Sequence, residues 1–172
     1  MSYIMMDIES DGPIPGDYSM ISFGAVLVNE KLDQTIYRRM KPISDKFLPE
    51  ALAVSGFSRD ETLLFDDPSK VMTELTEWIK KVSTDDPIFI SDNNGYDWMF
   101  ICWYFHHFIG QNPFGHSSQN LGSIYKGVVR DFTKNFKHLR RTKHTHNPVE
   151  DAIGNAEAFL TIKEKYGLKI RL

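Results

Sequence analysis

Tyr3-Ile4-Met5-Met6-Asp7-Ile8-Glu9 opens the chain with an apolar run that ends on two acids, two residues apart. Tyr3 to Asp7 reads as a short strand, and on a strand residues i and i+2 share a face. Asp7 and Glu9 therefore project together from the end of an apolar strand. Two carboxylates held that way repel each other unless a cation lies between them. Donors made only of oxygen suit Mg²⁺ or Mn²⁺.

Outward from this run the pattern stays β-like. Met20 to Val28 is rich in β-formers and carries small Gly24 and Ala25, and Gln34 to Met40 follows until Pro42 closes it. Glu30-Lys31-Leu32-Asp33 turns one into the other, which predicts an antiparallel meander. Helical spacing then takes over. Pro49 to Val54 makes a short helix. Asp67 caps a longer one that runs to Val82, with Pro68 at its first position and Val71, Met72, Leu75, Trp78, Ile79 and Val82 on one stripe. Pro87 to Ser91 is a short apolar strand. Tyr96 to Ile109 is apolar nearly all round, a buried helix stopped by Gly110. Asn147, Pro148 and Glu150 have capping-box spacing ahead of the stripe Val149, Ala152, Ile153, Ala156, Phe159 and Leu160, and Gly167 ends that helix. The order β-β-β-α-β-α-α predicts an α/β or α+β sandwich with a mixed sheet.

Bulk composition narrows the class. The 172 residues suit one domain, residues 1–172, with a sizeable core. Hydrophobic residues at 41% exclude a disordered chain, and a net charge of −3 excludes a basic coat for nucleic acid. Cys102 alone excludes an internal disulfide framework and suits a reducing compartment, so the expected location is cytoplasmic. Asp7 interrupts the apolar start with no charged segment before it, so no leader is expected. Trp98 to Phe105 is far too short for the ~20 residues that span a bilayer.

Three more polar residues complete a candidate site. Asp97 opens the buried helix just after a strand, at that strand's C-terminal edge. Asp151 lies in the first turn of the last helix, where the helix dipole favours a carboxylate. His146 precedes that helix in a Pro-bounded loop, where an imidazole can take a proton from water. Alone, each acid reads as a helix-start residue and His146 as a solvated loop residue. In order, they predict a cage for two hard divalent cations about 3.5–4 Å apart, the geometry that holds both oxygens of an in-line displacement at phosphorus. Asp7-x-Glu9-x-Asp11-Gly12 also looks like the start of a calcium loop, but its twelfth position is Tyr18 rather than Glu and no helix precedes it.

Asp7-Ile8-Glu9, Asn93-Asn94-Gly95-Tyr96-Asp97 and His146-Asn147-Pro148-Val149-Glu150-Asp151 resemble the three motifs of the DEDDh branch of 3′–5′ exonucleases. The strand Ile21 to Val26 and the segment Pro49 to Ser58 extend the likeness over most of the chain. The resemblance implies a ribonuclease H-like α/β fold, a central mixed five-stranded sheet flanked by helices. It also implies two Mg²⁺ or Mn²⁺ held by Asp7, Glu9, Asp97 and Asp151, His146 as general base, and release of nucleoside 5′-monophosphates from single-stranded RNA or DNA 3′ ends. Ser10-Asp11-Gly12 would face the terminal nucleotide; relatives often carry a neutral run there, so Asp11 is a departure, as is Asp92 where relatives often carry His. Small RNA-processing members such as oligoribonuclease and ribonuclease T tilt the expectation to RNA. An exodeoxyribonuclease, a non-catalytic nucleic-acid-binding module on the same fold, and a phosphoesterase of small nucleotides are the alternatives.

Peripheral residues add expectations. Lys134 to His144 holds five Lys or Arg and no acid, so Arg140 and Arg141 are candidates for substrate phosphates, against a solvated loop as the plain reading. Phe57 is a candidate base or ribose contact, whereas Phe23 and Cys102 read as core. The run Trp98, Phe100, Trp103, Tyr104, Phe105 and Phe108 exceeds what one core face needs, which fits a homodimer. His106 and His107 within it read as packing residues.

Overall fold

A computed structural model describes residues 1–170. Strands β1 (Ser2–Ser10), β2 (Met20–Leu27) and β3 (Thr35–Arg39) form the antiparallel meander. Helices α1 (Pro49–Val54), α2 (Arg59–Thr62) and α3 (Pro68–Val82) follow. Strand β4 (Pro87–Ser91) then pairs parallel with β1, and β5 (Ser118–Asn120) pairs parallel with β4. The mixed sheet therefore runs β3-β2-β1-β4-β5. Helix α4 (Asn94–Tyr104) joins β4 to β5 and widens into a π-helical turn, Phe105–Ile109. Helices α5 (Leu121–Val129) and α6 (Pro148–Tyr166) complete the chain.

Alternation along β1 explains the three layers. Ile4, Met6 and Ile8 join Phe23, Ala25 and Ile36 in a core against α3 and α4. Met5 joins Val26, Ile90 and the α6 residues Ala152, Ala156 and Phe159 in a second core on the opposite face. With both faces covered, β1 has to be apolar almost throughout. Inside the strand Asp7 and Glu9, on the α6 face, break that rule, and they do so where α6 begins. Gly24 explains how closely α6 sits: a Cβ there would come 2.1 Å from the Val149 nitrogen. The buried Tyr104 hydroxyl accepts from the Met20 nitrogen at 2.8 Å and ties α4 to β2.

Several boundaries differ from the pattern reading. Residues Ser118–Asn120 and Leu121–Val129 were expected as neither strand nor helix. The expected helix to Ile109 is α-helical only to Tyr104, with Gly110 closing the wider turn in a left-handed conformation (φ 80°). Asp67 caps α3 as expected, accepting from Ser69 at 2.9 Å. Asn147 caps α6 through Val149 at 3.2 Å, but no capping box forms: the Glu150 carboxylate accepts instead from the Thr145 hydroxyl at 2.6 Å. No helix among the described residues is long and apolar enough to cross a membrane.

Candidate active site

Three elements bring the acids together. Strand β1 supplies Asp7 and Glu9 from one face, the first turn of α4 supplies Asp97, and the first turn of α6 supplies Asp151. Asp97 and Asp151 are buried. Their proximity is legible in their electrostatics. Burial, then Asp97, Asp151 and Glu9, push the Asp7 carboxyl well above its ordinary range, and Arg140 opposes them. Burial and then Asp151 raise Glu9 to about 7. Burial, with Asp92 and Glu9 adding to it, raises Asp97 to about 7. Such a cluster is stable only when protonated or neutralised by a cation.

The donor set fits a divalent cation. Asp97 leaves Oδ2 buried without a hydrogen-bond partner, and Asp7, Glu9 and Asp97 offer oxygens alone. Asp151 differs. Its carboxylate accepts from Arg140 Nη2 at 2.7 Å, from the His146 nitrogen at 2.9 Å and from the Thr145 nitrogen at 3.2 Å, with His144 Nδ1 at 2.9 Å. Among the described residues, no three His, Cys, Asp or Glu side chains stand placed to hold a metal ion. The Arg140 side chain is only 7% exposed and occupies space left by Gly154, where a Cβ would lie 2.6 Å from Arg140 Nε.

His146 sits at the open side. Its side chain is half-exposed, and Nδ1 stands 3.6 Å from Glu9 Oε1. Its backbone is left-handed (φ 61°), an uncommon state for a residue with a Cβ, and two of the Asp151 bonds fix the turn around it. The His144 ring lies edge-on to it, 4.3 Å between centroids.

The expected substrate contacts separate into two groups. Ser10 donates to the Gly12 carbonyl at 2.7 Å and pairs with the Tyr96 hydroxyl, so the Ser10-Asp11-Gly12 backbone is braced beside the cage. Phe57 packs edge-to-face on Phe65. Arg141 is exposed, 3.5 Å from Glu157. Arg140 corrects the reading, and Asp11 keeps only its backbone beside the cage. Asp11 points inward, fully buried, accepting from Ser19 at 2.5 Å and pairing with Arg59 at 2.9 Å. Arg140 is committed to Asp151. Neither side chain is open to solvent. The aromatic surplus of α4 is largely taken up within the chain: Phe100, Tyr104 and Phe105 are buried, and Trp103 stacks on His107 at 4.3 Å. Sequence reading missed Arg140 as an internal partner because nothing in the spacing from Arg140 to Asp151 announces a contact. It also missed Tyr37 and Arg39 on β3, which strand pairing alone sets on the Asp7 and Glu9 face.

No family model matches the chain. A curated relative, the 3′-5′ DNA exonuclease Cap18 of Escherichia coli, is 42% identical over 131 residues, 73% of this chain and 68% of its own length. Among solved structures, the nuclease domain of 3′hExo, a DEDDh family member bound to rAMP, superposes with a TM-score of 0.75 at 15% identity, covering 99% of this chain and 96% of that one. The zinc-bound E. coli exonuclease I complex with single-stranded DNA gives 0.74 at 14% identity, covering 96% of this chain but 41% of that one. At these identities the two structures show a shared ribonuclease H-like fold.

Proposed function

This chain belongs to the DEDDh family of 3′–5′ exonucleases, and from that premise we propose that it removes nucleoside 5′-monophosphates from the 3′ end of single-stranded DNA. The observation that carries the reading is the convergence of Asp7, Glu9, Asp97 and Asp151, with His146 against Glu9. Glu9 faces one imidazole nitrogen of His146, leaving the other free to take a proton from the attacking water. That water's oxygen bonds to phosphorus, and the 3′-oxygen of the preceding nucleotide leaves with the electron pair of the broken bond. Two Mg²⁺ or Mn²⁺, held by Asp7, Glu9, Asp97 and Asp151, would supply charge neutralisation at the phosphate. The braced Ser10 to Gly12 backbone would receive the terminal nucleotide.

DNA stands ahead of RNA because the relative 42% identical is named a DNA exonuclease. Partly exposed Trp98, Trp103 and Phe108 support a homodimer, which light scattering checks.

The test is a panel of 3′-labelled single-stranded DNA, RNA and dinucleotides with Mg²⁺ or Mn²⁺, with and without chelator. The expected outcome is chelator-sensitive release of mononucleotides, faster from DNA. Asp7→Asn is expected to abolish it. Absence of release from every strand, or release that survives chelation, overturns the reading.

A further inference from the structure

Strand register carries the site beyond the cage. Glu9 lies opposite Ser22, and Ser22 opposite Arg39, so these three form a row across β1, β2 and β3. Asp7, Gly24 and Tyr37 form the neighbouring row. The first turn of α6 closes over Gly24, so the row through Arg39 lies just past the start of that helix, beside His146. Adjacent strands are ~4.8 Å apart, which sets Arg39 roughly 10 Å from Glu9 along the floor of the site. Ser22 lies between them, and Tyr37 in the next row feels both: burial chiefly raises its hydroxyl, while Arg39 lowers it and Glu9 raises it.

The setting of Arg39 is that of a receptor rather than a brace. Its Cζ lies 4.7 Å from the Phe65 ring centroid and 5.5 Å from that of Phe57, and the two rings meet edge-to-face at 5.0 Å. Among the described residues it makes no ion pair. The two carboxylates within its field are engaged elsewhere: Glu61 accepts from Ser58 at 2.8 Å, and Asp66 from Lys70 at 2.7 Å. Ring faces fix the plane of a guanidinium but leave its N–H fork unsatisfied. Beside it, Tyr37, Arg38, Arg39, Leu64, Phe65 and the Lys70-paired Asp66 line a cleft of about 300 Å³, with Leu64 85% exposed. An exposed, pre-oriented guanidinium with spare donors, on the same floor as a phosphodiester-cleaving site, matches one ligand chemistry well: a backbone phosphate, taken by paired N–H donors.

We propose that Arg39, propped by Phe57 and Phe65, binds the backbone phosphate of a nucleotide upstream of the scissile bond. The subsite rests on the exonuclease reading for its role, but its binding is measurable without turnover. It accepts DNA and RNA alike, since a phosphate carries neither base nor sugar identity.

The experiment compares wild type with Arg39→Gln, Arg39→Lys and Phe65→Leu. Binding of a labelled single-stranded oligonucleotide is followed by fluorescence anisotropy in chelator at several salt concentrations. Arg39→Gln is expected to weaken binding about tenfold and to lower the salt slope by ~0.7, the value for one phosphate contact on a single strand. Arg39→Lys is expected to keep the slope and part of the affinity. Phe65→Leu is expected to keep the slope and lose affinity, because the charge stays while its support goes. In turnover, Arg39→Gln is expected to raise KM on oligonucleotides and leave kcat within about twofold. The p-nitrophenyl ester of thymidine 5′-monophosphate, which has no upstream nucleotide, should be cleaved as by wild type. Coincident affinities and salt slopes for wild type and Arg39→Gln overturn the subsite. So does an equal loss on the ester, which would place the effect in the cage. An Arg39-dependent slope in a protein that cleaves nothing would uphold the subsite and sink the exonuclease reading.

Discussion

His146 and Arg140 show how much a single position carries. His146 holds a left-handed backbone, which Asn and Gly tolerate better than Ala does. His146→Asn is therefore the cleaner probe: it removes the base and keeps the turn. Its kcat is expected to fall by ~10²–10⁴, with metal binding by calorimetry unchanged. Loss of metal binding instead would make His146 a ligand. Arg140 pairs with buried Asp151 at 2.7 Å. Arg140→Gln leaves that carboxylate without its cation, and in chelator the variant is expected to lose about 3 kcal/mol of stability. Mg²⁺ should restore part of the loss, which urea denaturation with and without the ion reads directly. Equal loss in both conditions would mean that the cation and Arg140 do not share Asp151. Of these two residues only His146 was legible in the sequence. It stands in a motif at a fixed distance from Asp151, whereas Arg140 sits in a basic run where a solvated side chain and a buried one look the same.

At the scale of elements, legibility followed periodicity. The strands β1 to β4 and the helices α3 and α6 announce themselves because a covered sheet or an amphipathic helix has to repeat its apolar residues. Strand β5 is three polar residues, Ser118-Gln119-Asn120, which pair with β4 through backbone and carry no pattern. Helix α5 has a real cap, Asn120 accepting from Ser123 at 2.6 Å, but Gly122 and Gly127 lie within it and mask its pattern. Glu150 had the spacing of a capping box and was drawn off by Thr145, a competitor that spacing cannot reveal. The contact between β2 and α6 is the sharpest test of element placement. Gly24→Ala would put a methyl 2.1 Å from the Val149 nitrogen, so the start of α6 must lift. The expected result is about 1–3 kcal/mol of destabilisation, with activity falling more than stability because Asp151 and His146 ride on that turn. Full activity in Gly24→Ala would show that the height of α6 is not critical.

Over the whole molecule the cage sets a pH dependence. Glu9 and Asp97 titrate at about 7 in the folded chain against ordinary values of 4.5 and 3.8. Between those limits the folded state holds more protons than the unfolded one, so stability is present at the acid end and lost as pH rises through about 7. Urea denaturation in chelator from pH 5 to 8 should show this decline, and Asp97→Asn should flatten it. A flat profile for the wild type would mean that the acids lie farther apart or wetter than described. Divalent cations should act oppositely, binding more tightly as pH rises, because the ligand carboxylates must lose their protons first. The global arrangement of four acids was legible because three motifs in fixed order are a long-range signal. The direction taken by the nucleic acid was not, since it depends on which residues of β1, β2 and β3 end up side by side.

The Arg140–Asp151 pair has one more consequence. A nuclease that carries a positive charge of its own inside the cage does not need the metal as a scaffold. Its shape can be complete before any ion arrives, so cations act on it as a switch. Chelation should silence the protein without unravelling it, and adding the ion back should restore the full rate within the time of mixing, with no refolding lag.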